Sequence, residues 1–298
     1  MIETQPRATV PARPPTTHER TWRFAPGAEI VPGRSALTLL GGGERYEAWL
    51  AWDDRLHGTI VAKLVRPHLV DDGKVRAAIE AEATALARLQ HPVIVRSFGA
   101  QLEGPRPHLA LEHLDGPRLS TLLRRFGPLA AEQIVPLARS LASALAYLAG
   151  EGWLHLDVKP RNIVMTGVPR LIDLSVARTL EAASRISGHV GTDAYMAPEQ
   201  CDPARFDQIG PGADVWGLGA TLFEALAGRQ AFPRGPDERF PQLRHERPAV
   251  PPKAPPALTG LVLACLADDP TARPSLDEVD AVLEGLDEWS QRTLRRVR

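Results

Sequence analysis

A chain of 298 residues, 44% of them hydrophobic, is long enough for one large domain or two modest lobes with buried cores. The net charge of −1 gives no excess of positive charge that would favour nucleic acid. No run of about 18 apolar residues predicts a membrane span, and residues 1–21 lack the apolar stretch of a signal peptide, so we expect a cytoplasmic protein. The two cysteines, Cys201 and Cys265, exclude a disulfide framework and belong to no Cys/His cluster that would bind a metal.

Composition and hydrophobic pattern divide the chain into four segments. Residues 1–33 are rich in Pro, Thr and Arg and predict a disordered or loosely docked extension. Residues 34–112 predict a strand-rich lobe, 113–288 a helix-rich lobe, and 289–298 a short basic tail. The expected fold class is therefore α+β, with a small sheet and one helix in the first lobe and a larger helical second lobe.

In the first lobe, short apolar runs bounded by glycine or turn residues predict strands. The helix follows from apolar residues at helical spacing, from Ile79 to Leu89, with Pro92 just beyond its end. The predicted elements are strands Ala36–Leu40, Ala48–Trp52, Thr59–Val65, Ile94–Phe98 and His108–Glu112, and helix Lys74–Leu89.

In the second lobe, Pro128 opens a long helix, because apolar residues from Ile134 to Leu148 follow 3-4-4-3 spacing. Gly150 and Gly152 end that helix. Further helices are predicted at Ala213–Gly228, Pro256–Ala267 and Ser275–Gly285.

A glycine cluster, Gly41, Gly42 and Gly43, lies between the first two predicted strands. Glycines let backbone amides approach an anion without obstruction by a side chain. Taken alone, the cluster is better explained as an ordinary glycine hairpin.

Lys63 lies within an apolar strand, where an ammonium group is costly unless a carboxylate pairs with it. Glu82 on the following helix is the candidate partner, and the pair would hold the ammonium over phosphate oxygens. By itself, a lysine on an edge strand with a solvated head explains the same residue.

The segment Leu154–Asn162 carries the strongest chemical signal. Asp157 can accept a proton from a hydroxyl or orient it, and Lys159 can neutralise a phosphoryl group in transfer. Asn162 can ligate a metal through its amide oxygen, and Asp173, after a strand-like run, can supply a second ligand. A polar loop that combines these residue types at this spacing by chance is rare, on the order of 5% or less.

Over residues 35–288 the chain resembles the eukaryotic-like serine/threonine protein kinases of bacteria. The resemblance implies the two-lobed protein-kinase fold, the cofactors ATP and Mg²⁺ (or Mn²⁺), and protein substrates that carry Ser or Thr. The motifs that match are the glycine-rich loop Gly41–Ala48, the lysine Lys63, its glutamate Glu82, the catalytic set Asp157, Lys159 and Asn162, the metal-binding Asp173, the activation-segment end Gly191–Glu199, the buried helix Asp214–Gly219, and Arg273 as partner of Glu199.

The same resemblance assigns further positions. Leu111 is the gatekeeper, and the backbones of Glu112 and Leu114 hydrogen-bond adenine. Thr192 bridges Asp157 and Lys159, which is typical of serine/threonine specificity. The remaining positions assigned to nucleotide binding are Ala48, Val61 and Val164.

The use of lysine in this chain supports activity independently of the resemblance. Only Lys63, Lys74, Lys159 and Lys253 are lysine among 35 basic residues, and the other 31 are arginine. Both positions that need an ammonium are lysine, an outcome with a chance of about 1% if basic identities were shuffled. The planar guanidinium of arginine does not replace a compact point charge at these two sites.

Four features depart from the family pattern. Tyr46 replaces the third glycine of the loop, where its ring either shields or obstructs the phosphates or simply stacks at the surface. Ala48 and Val61 exchange the family's large and small residues, which leaves the adenine pocket about the same size. Leu156 replaces the arginine that holds a phosphorylated activation segment, so we expect activity without phosphorylation of that segment. Ser175 replaces a flexible glycine.

The sequence therefore predicts an active protein kinase capable of autophosphorylation. One alternative is a pseudokinase that binds nucleotide and acts as a scaffold, which the departures favour. Another is a small-molecule phosphotransferase on a related fold, against which Lys159 and the Ala197–Glu199 segment argue. The sequence predicts neither the physiological substrate nor the oligomeric state.

Overall fold

The computed structural model describes residues 20–206, 208–235, 238–244, 248–249 and 254–296. The chain divides into two compact units. The first comprises the chain up to Ile79 together with Phe98–Leu111, and the second comprises Glu80–Ser97 together with the chain from Glu112 onward.

A six-stranded sheet forms the first unit, with strand order β1-β2-β3-β4-β6-β5. The pairings β1–β2, β2–β3 and β3–β4 are antiparallel. The strands are β1 Glu29–Val31, β2 Arg34–Gly42, β3 Tyr46–Asp53, β4 Gly58–Val65, β5 Ser97–Gln101 and β6 His108–Glu112, and helix α1, Gly73–Arg88, follows β4. The predicted small sheet with one helix is thereby confirmed.

The two faces of β3 and β4 differ in burial, because successive side chains of a strand point to opposite faces. Trp49, Ala51, Ile60, Ala62 and Leu64 lie on one face and belong to the buried core. The opposite face, which carries Ala48, Val61 and Lys63, is half-buried.

The N-terminal extension is ordered where the structure describes it, which corrects the prediction of disorder for residues 20–33. Trp22 and Phe24 pack on the buried core of the sheet. The Trp22 indole N–H donates to the Val65 carbonyl at 2.8 Å, and Arg106 lies over both aromatic rings. The proline-rich composition led to the prediction of disorder although the segment contains two large aromatic residues. Burial of their rings against the sheet removes apolar surface from water and holds the segment in place. Residues 1–19 of the predicted extension lie outside the described residues.

Helices dominate the second unit. Helix α6 is buried on all sides and packs against α3 and α7, while α3 also packs against α8. The helices are α2 Leu119–Phe126, α3 Ala131–Gly150, α4 Leu180–Ala183, α5 Pro198–Cys201, α6 Gly212–Ala227, α7 Pro256–Cys265 and α8 Leu276–Arg296, and the short strands are β7 Trp153–Leu154, β8 Ile163–Met165, β9 Pro169–Leu171 and β10 Arg178–Thr179.

Three details of the predicted elements were wrong. The strand predicted at Ile94–Phe98 runs from Ser97 to Gln101, because the apolar residues before it pair with Leu171 instead: the Val95 N–H donates to the Leu171 carbonyl at 2.9 Å. Helix α2 was not predicted, since two turns with only Leu119 and Leu123 buried give little periodicity. Helix α8 continues to Arg296, beyond the predicted end of that helix at Gly285.

Among the residues with described structure, no helix combines the length and the apolar character needed to cross a membrane.

The ordered extension generates a stability prediction. Trp22→Ala should lower the free energy of unfolding by about 2 kcal/mol, because it removes a half-buried ring and the donor to Val65. Urea denaturation measures this, with the exposed neighbour changed in Arg23→Ala as the control. Equal stability of the two variants would mean that the segment does not support the sheet.

Candidate active site

The loop that carries Asp157 is anchored from below by a buried carboxylate. Asp214 on α6 accepts the N–H of His155 with one oxygen and the N–H of Leu156 with the other, both at 2.7 Å. Leu156 has φ +63°, in the left-handed region that a branched apolar residue rarely adopts. The two charge-assisted hydrogen bonds hold this strained turn, and the turn sets the direction in which Asp157 points.

Burial raises the pKa of the Asp214 carboxyl, and nearby His155 and the two N–H donors oppose that rise. Both carboxyl oxygens accept hydrogen bonds from backbone N–H groups, an arrangement that favours the ionised carboxylate over the protonated acid.

Asp157, Lys159 and Thr192 form a closed triangle of hydrogen bonds. The Lys159 ammonium donates to Asp157 Oδ2 and to Thr192 Oγ1, both at 2.5 Å. The Thr192 hydroxyl donates to Asp157 Oδ1 at 2.7 Å. Both carboxylate oxygens of Asp157 are thereby oriented, and the ammonium lies beside the carboxylate that would receive a substrate hydroxyl.

Asn162 is almost fully buried and braces the same carboxylate. Its Nδ2 donates at 3.0 Å to both the backbone carbonyl and Oδ2 of Asp157, which leaves the amide oxygen as an acceptor. The Ile172 N–H donates to the Asn162 carbonyl at 2.8 Å. Asp173 is therefore the residue directly after one that is hydrogen-bonded to Asn162. Asp173 has φ +71°, a second non-glycine residue of this site in the left-handed region.

These donors suit a magnesium ion. An amide oxygen and a carboxylate oxygen are hard ligands, and Mg²⁺ uses one or two such protein ligands beside phosphates and water. In the described part of the chain, no group of three or more His, Cys, Asp or Glu residues forms a complete protein cage.

The first unit brings three of the predicted nucleotide-binding residues onto one face. Ala48 pairs with Lys63 across β3 and β4, and Val61 pairs with Leu50. Ala48 and Val61 are thus diagonal neighbours, the arrangement in which their exchanged sizes can compensate. The predicted partner of Lys63, Glu82, is almost fully buried on α1 and belongs to the second unit.

The glycine loop is held by Arg66, a residue that the sequence analysis did not identify. The Gly43 N–H donates to the Tyr46 carbonyl at 3.0 Å, and Arg66 Nε donates to the Gly43 carbonyl at 2.7 Å. Arg66 also pairs with buried Glu47 at 2.8 Å. A Cβ on Gly42 would lie 2.7 Å from the Tyr46 carbonyl oxygen, so a side chain there would force the loop apart. The sequence signal that could have revealed this contact is Glu47, a charged residue at a strand position that faces the core and therefore needs a basic partner.

The residues predicted to contact adenine lie at and after the end of β6 and on β8. Leu111 is buried, Leu114 is half-buried, and Val164 is buried on β8. The Glu112 N–H donates to the Arg96 carbonyl at 2.9 Å, so only its carbonyl is suited to an adenine contact.

The Glu112 side chain is occupied by an ion pair. Arg170 donates to its two oxygens at 3.1 and 2.5 Å. Burial raises the pKa of the Glu112 carboxyl, but the hydrogen bonds from Arg170 and the Arg96 N–H bring it below its usual value.

Gln200 joins the segment that carries Thr192 to the loop that carries Asp157. Its Nε2 donates to the Leu156 carbonyl at 3.0 Å and to the Val190 carbonyl at 2.8 Å. Gly191 has φ +119°, and a Cβ there would lie 2.7 Å from the Leu156 carbonyl oxygen. This close approach places Thr192 against Asp157.

Two further ion pairs fix the end of the segment. Arg239 donates to both oxygens of Asp193 at 2.8 and 3.0 Å, and this hydrogen bonding holds the pKa of Asp193 below its usual value. Arg273 donates to both oxygens of buried Glu199 at 2.6 and 2.8 Å and to the Gly212 carbonyl at 2.8 Å. The predicted Glu199–Arg273 partnership is present, whereas Asp193–Arg239 was not foreseen.

Comparison with known proteins finds one matching family and several bacterial relatives. Residues 35–282 match the family described as the protein kinase domain. The serine/threonine-protein kinase PknB of Mycolicibacterium smegmatis is 31% identical over 251 residues, which are 79% of this chain and 40% of that protein. PknB of Mycobacterium leprae is 32% identical over 203 residues, 65% of this chain and 32% of that protein. The serine/threonine-protein kinase PknD of Mycobacterium tuberculosis is 32% identical over 252 residues, 80% of this chain and 37% of that protein. The chain thus spans 32–40% of the length of these relatives.

The anchor beneath the catalytic loop can be tested directly. Asp214→Asn replaces one acceptor oxygen by an NH₂ group that faces a backbone N–H, so it should lower the free energy of unfolding by about 2 kcal/mol. Hydrogen exchange at the amides of His155 and Leu156 should accelerate at the same time. Asp54→Asn, at an exposed position, is the matched control. Unchanged exchange at both amides would show that the carboxylate does not hold the loop.

Proposed function

The chain belongs to the protein kinase family, in its bacterial serine/threonine branch, and we propose that it transfers the γ-phosphate of ATP to serine and threonine hydroxyls of other proteins. The observation that carries the proposal is the triangle of Asp157, Lys159 and Thr192. It presents an oriented carboxylate and an ammonium within 2.5 Å of each other. A hydroxyl nucleophile and a phosphoryl group in transfer need these two charges side by side.

In this mechanism Asp157 receives the substrate hydroxyl and holds it for in-line attack. Lys159 stabilises the charge on the transferring phosphoryl group. Thr192 keeps both side chains in position, since it accepts from one and donates to the other.

The predicted nucleotide-binding residues complete the mechanism. Lys63 and the glycine loop fix the phosphates, with Glu82 as the partner of Lys63, and the carbonyl of Glu112 contacts adenine. Asn162 and Asp173 would hold Mg²⁺, which would offset the negative charge of the phosphates when bound. Autophosphorylation, protein partners that carry Ser or Thr, and a cytoplasmic location remain predictions.

A nucleotide-binding scaffold without transfer activity is the second candidate. Tyr46, Leu156 and Ser175 favour it, because each departs from the family pattern. The intact Asp157 triangle favours the enzyme.

A transfer assay with labelled ATP, Mg²⁺ and a generic protein acceptor distinguishes the two candidates. Lys63→Met and Asp157→Asn should each lower transfer on the order of 100-fold or more, because each removes a charge that acts on the reacting groups. Lys74→Met, at an exposed position, and Asp54→Asn are matched controls and should retain activity. Nucleotide binding by the wild-type protein without transfer to any acceptor would favour the scaffold.

Activity should not require phosphorylation of the activation segment. Leu156 cannot pair with a phosphate, and the segment is already held by Gln200 and Arg239. In the triple variant Thr179→Ala, Ser184→Ala, Ser187→Ala, kcat should stay within about threefold of wild type, since these hydroxyls lie outside the triangle and Thr179 only caps the short helix α4.

Thr192→Val is the contrast within the same segment. It should lower kcat on the order of 100-fold, because it removes the hydroxyl that orients Asp157. Steady-state kinetics of both variants, with mass spectrometry of the wild-type segment, provide the measurement. A large loss of activity in the triple variant would contradict independence from phosphorylation.

A further inference from the structure

Tyr46 stands where the family has a glycine, and the register of the sheet directs it to Lys63. Tyr46 pairs with Val65 and Ala48 pairs with Lys63, so Tyr46 and Lys63 are diagonal neighbours on adjacent antiparallel strands. Residues two apart on a strand share a face, and a diagonal separation of about 7–8 Å lies within reach of an aromatic side chain. The ring therefore lies on the face that carries Lys63.

The contact itself is a cation–π interaction. The Lys63 ammonium lies 4.9 Å from the centroid of the Tyr46 ring, within the distance at which the negative face of an aromatic ring attracts a cation. The Tyr46 hydroxyl lies 3.5 Å from the Val75 carbonyl oxygen, at the outer limit of a hydrogen bond. The ring face is the stronger of the two contacts, and the hydroxyl adds a weak tether to α1.

The surrounding loop fixes the ring in this place. The Tyr46 carbonyl accepts the Gly43 N–H, and the neighbouring residue Glu47 is held by Arg66. Tyr46 is half-buried, so the ring does not move freely in solvent. The backbone contacts of the loop therefore fix the position of the ring together with the contacts of the side chain.

Resting on the proposed function, we propose that Tyr46 is a positioning residue that holds the Lys63 ammonium at the phosphate site. The ring covers one side of the ammonium and replaces water there, which limits the conformations of a flexible side chain. Lys63 then meets the nucleotide phosphates already oriented. In this chain the ring supports phosphate binding, and the third glycine of the loop is dispensable for that reason.

The first test observes the contact without any activity. The chain contains four lysines, so selective ¹³C labelling of lysine gives four ε-CH₂ signals, and Lys63→Met assigns the one of interest. In the wild-type protein the Lys63 signal should be shifted upfield, because protons over an aromatic face are shielded. Tyr46→Phe should keep the shift, and Tyr46→Leu should abolish it. An unshifted Lys63 signal in the wild-type protein would overturn the proposal, even where Tyr46→Leu fails to fold.

The second test measures the coupling of the two residues in nucleotide binding. Calorimetric titration with a non-hydrolysable ATP analogue and Mg²⁺ should give a Kd about 3- to 10-fold higher for Tyr46→Leu and near wild type for Tyr46→Phe. In the Lys63→Met background, Tyr46→Leu should change Kd by less than twofold, because the group that it positions is absent. A merely structural role of the ring would weaken binding equally in both backgrounds, and that result would overturn the proposal.

The outcomes separate this inference from the proposed function. If the wild-type protein binds the analogue, Lys63→Met weakens binding and Tyr46→Leu does not, the nucleotide site stands and the positioning role falls. If Tyr46→Leu instead tightens binding, the ring obstructs the phosphates, which also overturns the positioning role. If the wild-type protein binds no nucleotide, the proposed function falls first, while the lysine spectrum still reports whether the contact exists.

Discussion

The catalytic loop depends on one buried interaction, the Asp214 carboxylate beneath it. A left-handed Leu156 costs on the order of 1–2 kcal/mol, and two backbone hydrogen bonds to a charged acceptor, each contributing about 1.5–3 kcal/mol, offset that cost. The carboxylate therefore stabilises the turn by more than the strain costs. Because Asp157 follows Leu156 directly, the direction of the proposed base is set by a residue that lies 57 positions later in the chain.

A second set of contacts carries this order into the activation segment. Arg273 joins Glu199 at the start of α5 to the Gly212 carbonyl at the start of α6, the helix that bears Asp214. One residue on, Gln200 donates to the Leu156 carbonyl. Asp214, which holds the loop, and Glu199, which holds the segment, are therefore connected through Arg273 and helix α6. Buried polar networks of this kind are rigid when each polar group has a hydrogen-bond partner.

Features that depend on a few consecutive residues could be predicted from the sequence. The predicted strand His108–Glu112 has the observed bounds, and the motif around Asp157 indicated phosphoryl transfer, since these signals lie within a few consecutive residues. The ordered extension around Trp22 and the pair Asp193–Arg239 were missed, because each depends on partners 40 or more positions away that no spacing rule connects. Tyr46 was noticed as a departure, but its direction followed only from the register of β3 against β4.

Arginine and Lys159 occupy different kinds of position in this arginine-rich chain. Arginine occupies the positions where a planar fork meets both oxygens of a carboxylate, as in Arg170–Glu112, Arg239–Asp193 and Arg273–Glu199. Lys159 instead donates to a carboxylate and a hydroxyl from a single nitrogen at 2.5 Å. A guanidinium spreads its donors over a plane and would separate these two acceptors, so substitution by arginine would open the triangle even though the charge is kept. The geometry at the nitrogen, as well as the charge, therefore requires lysine at position 159.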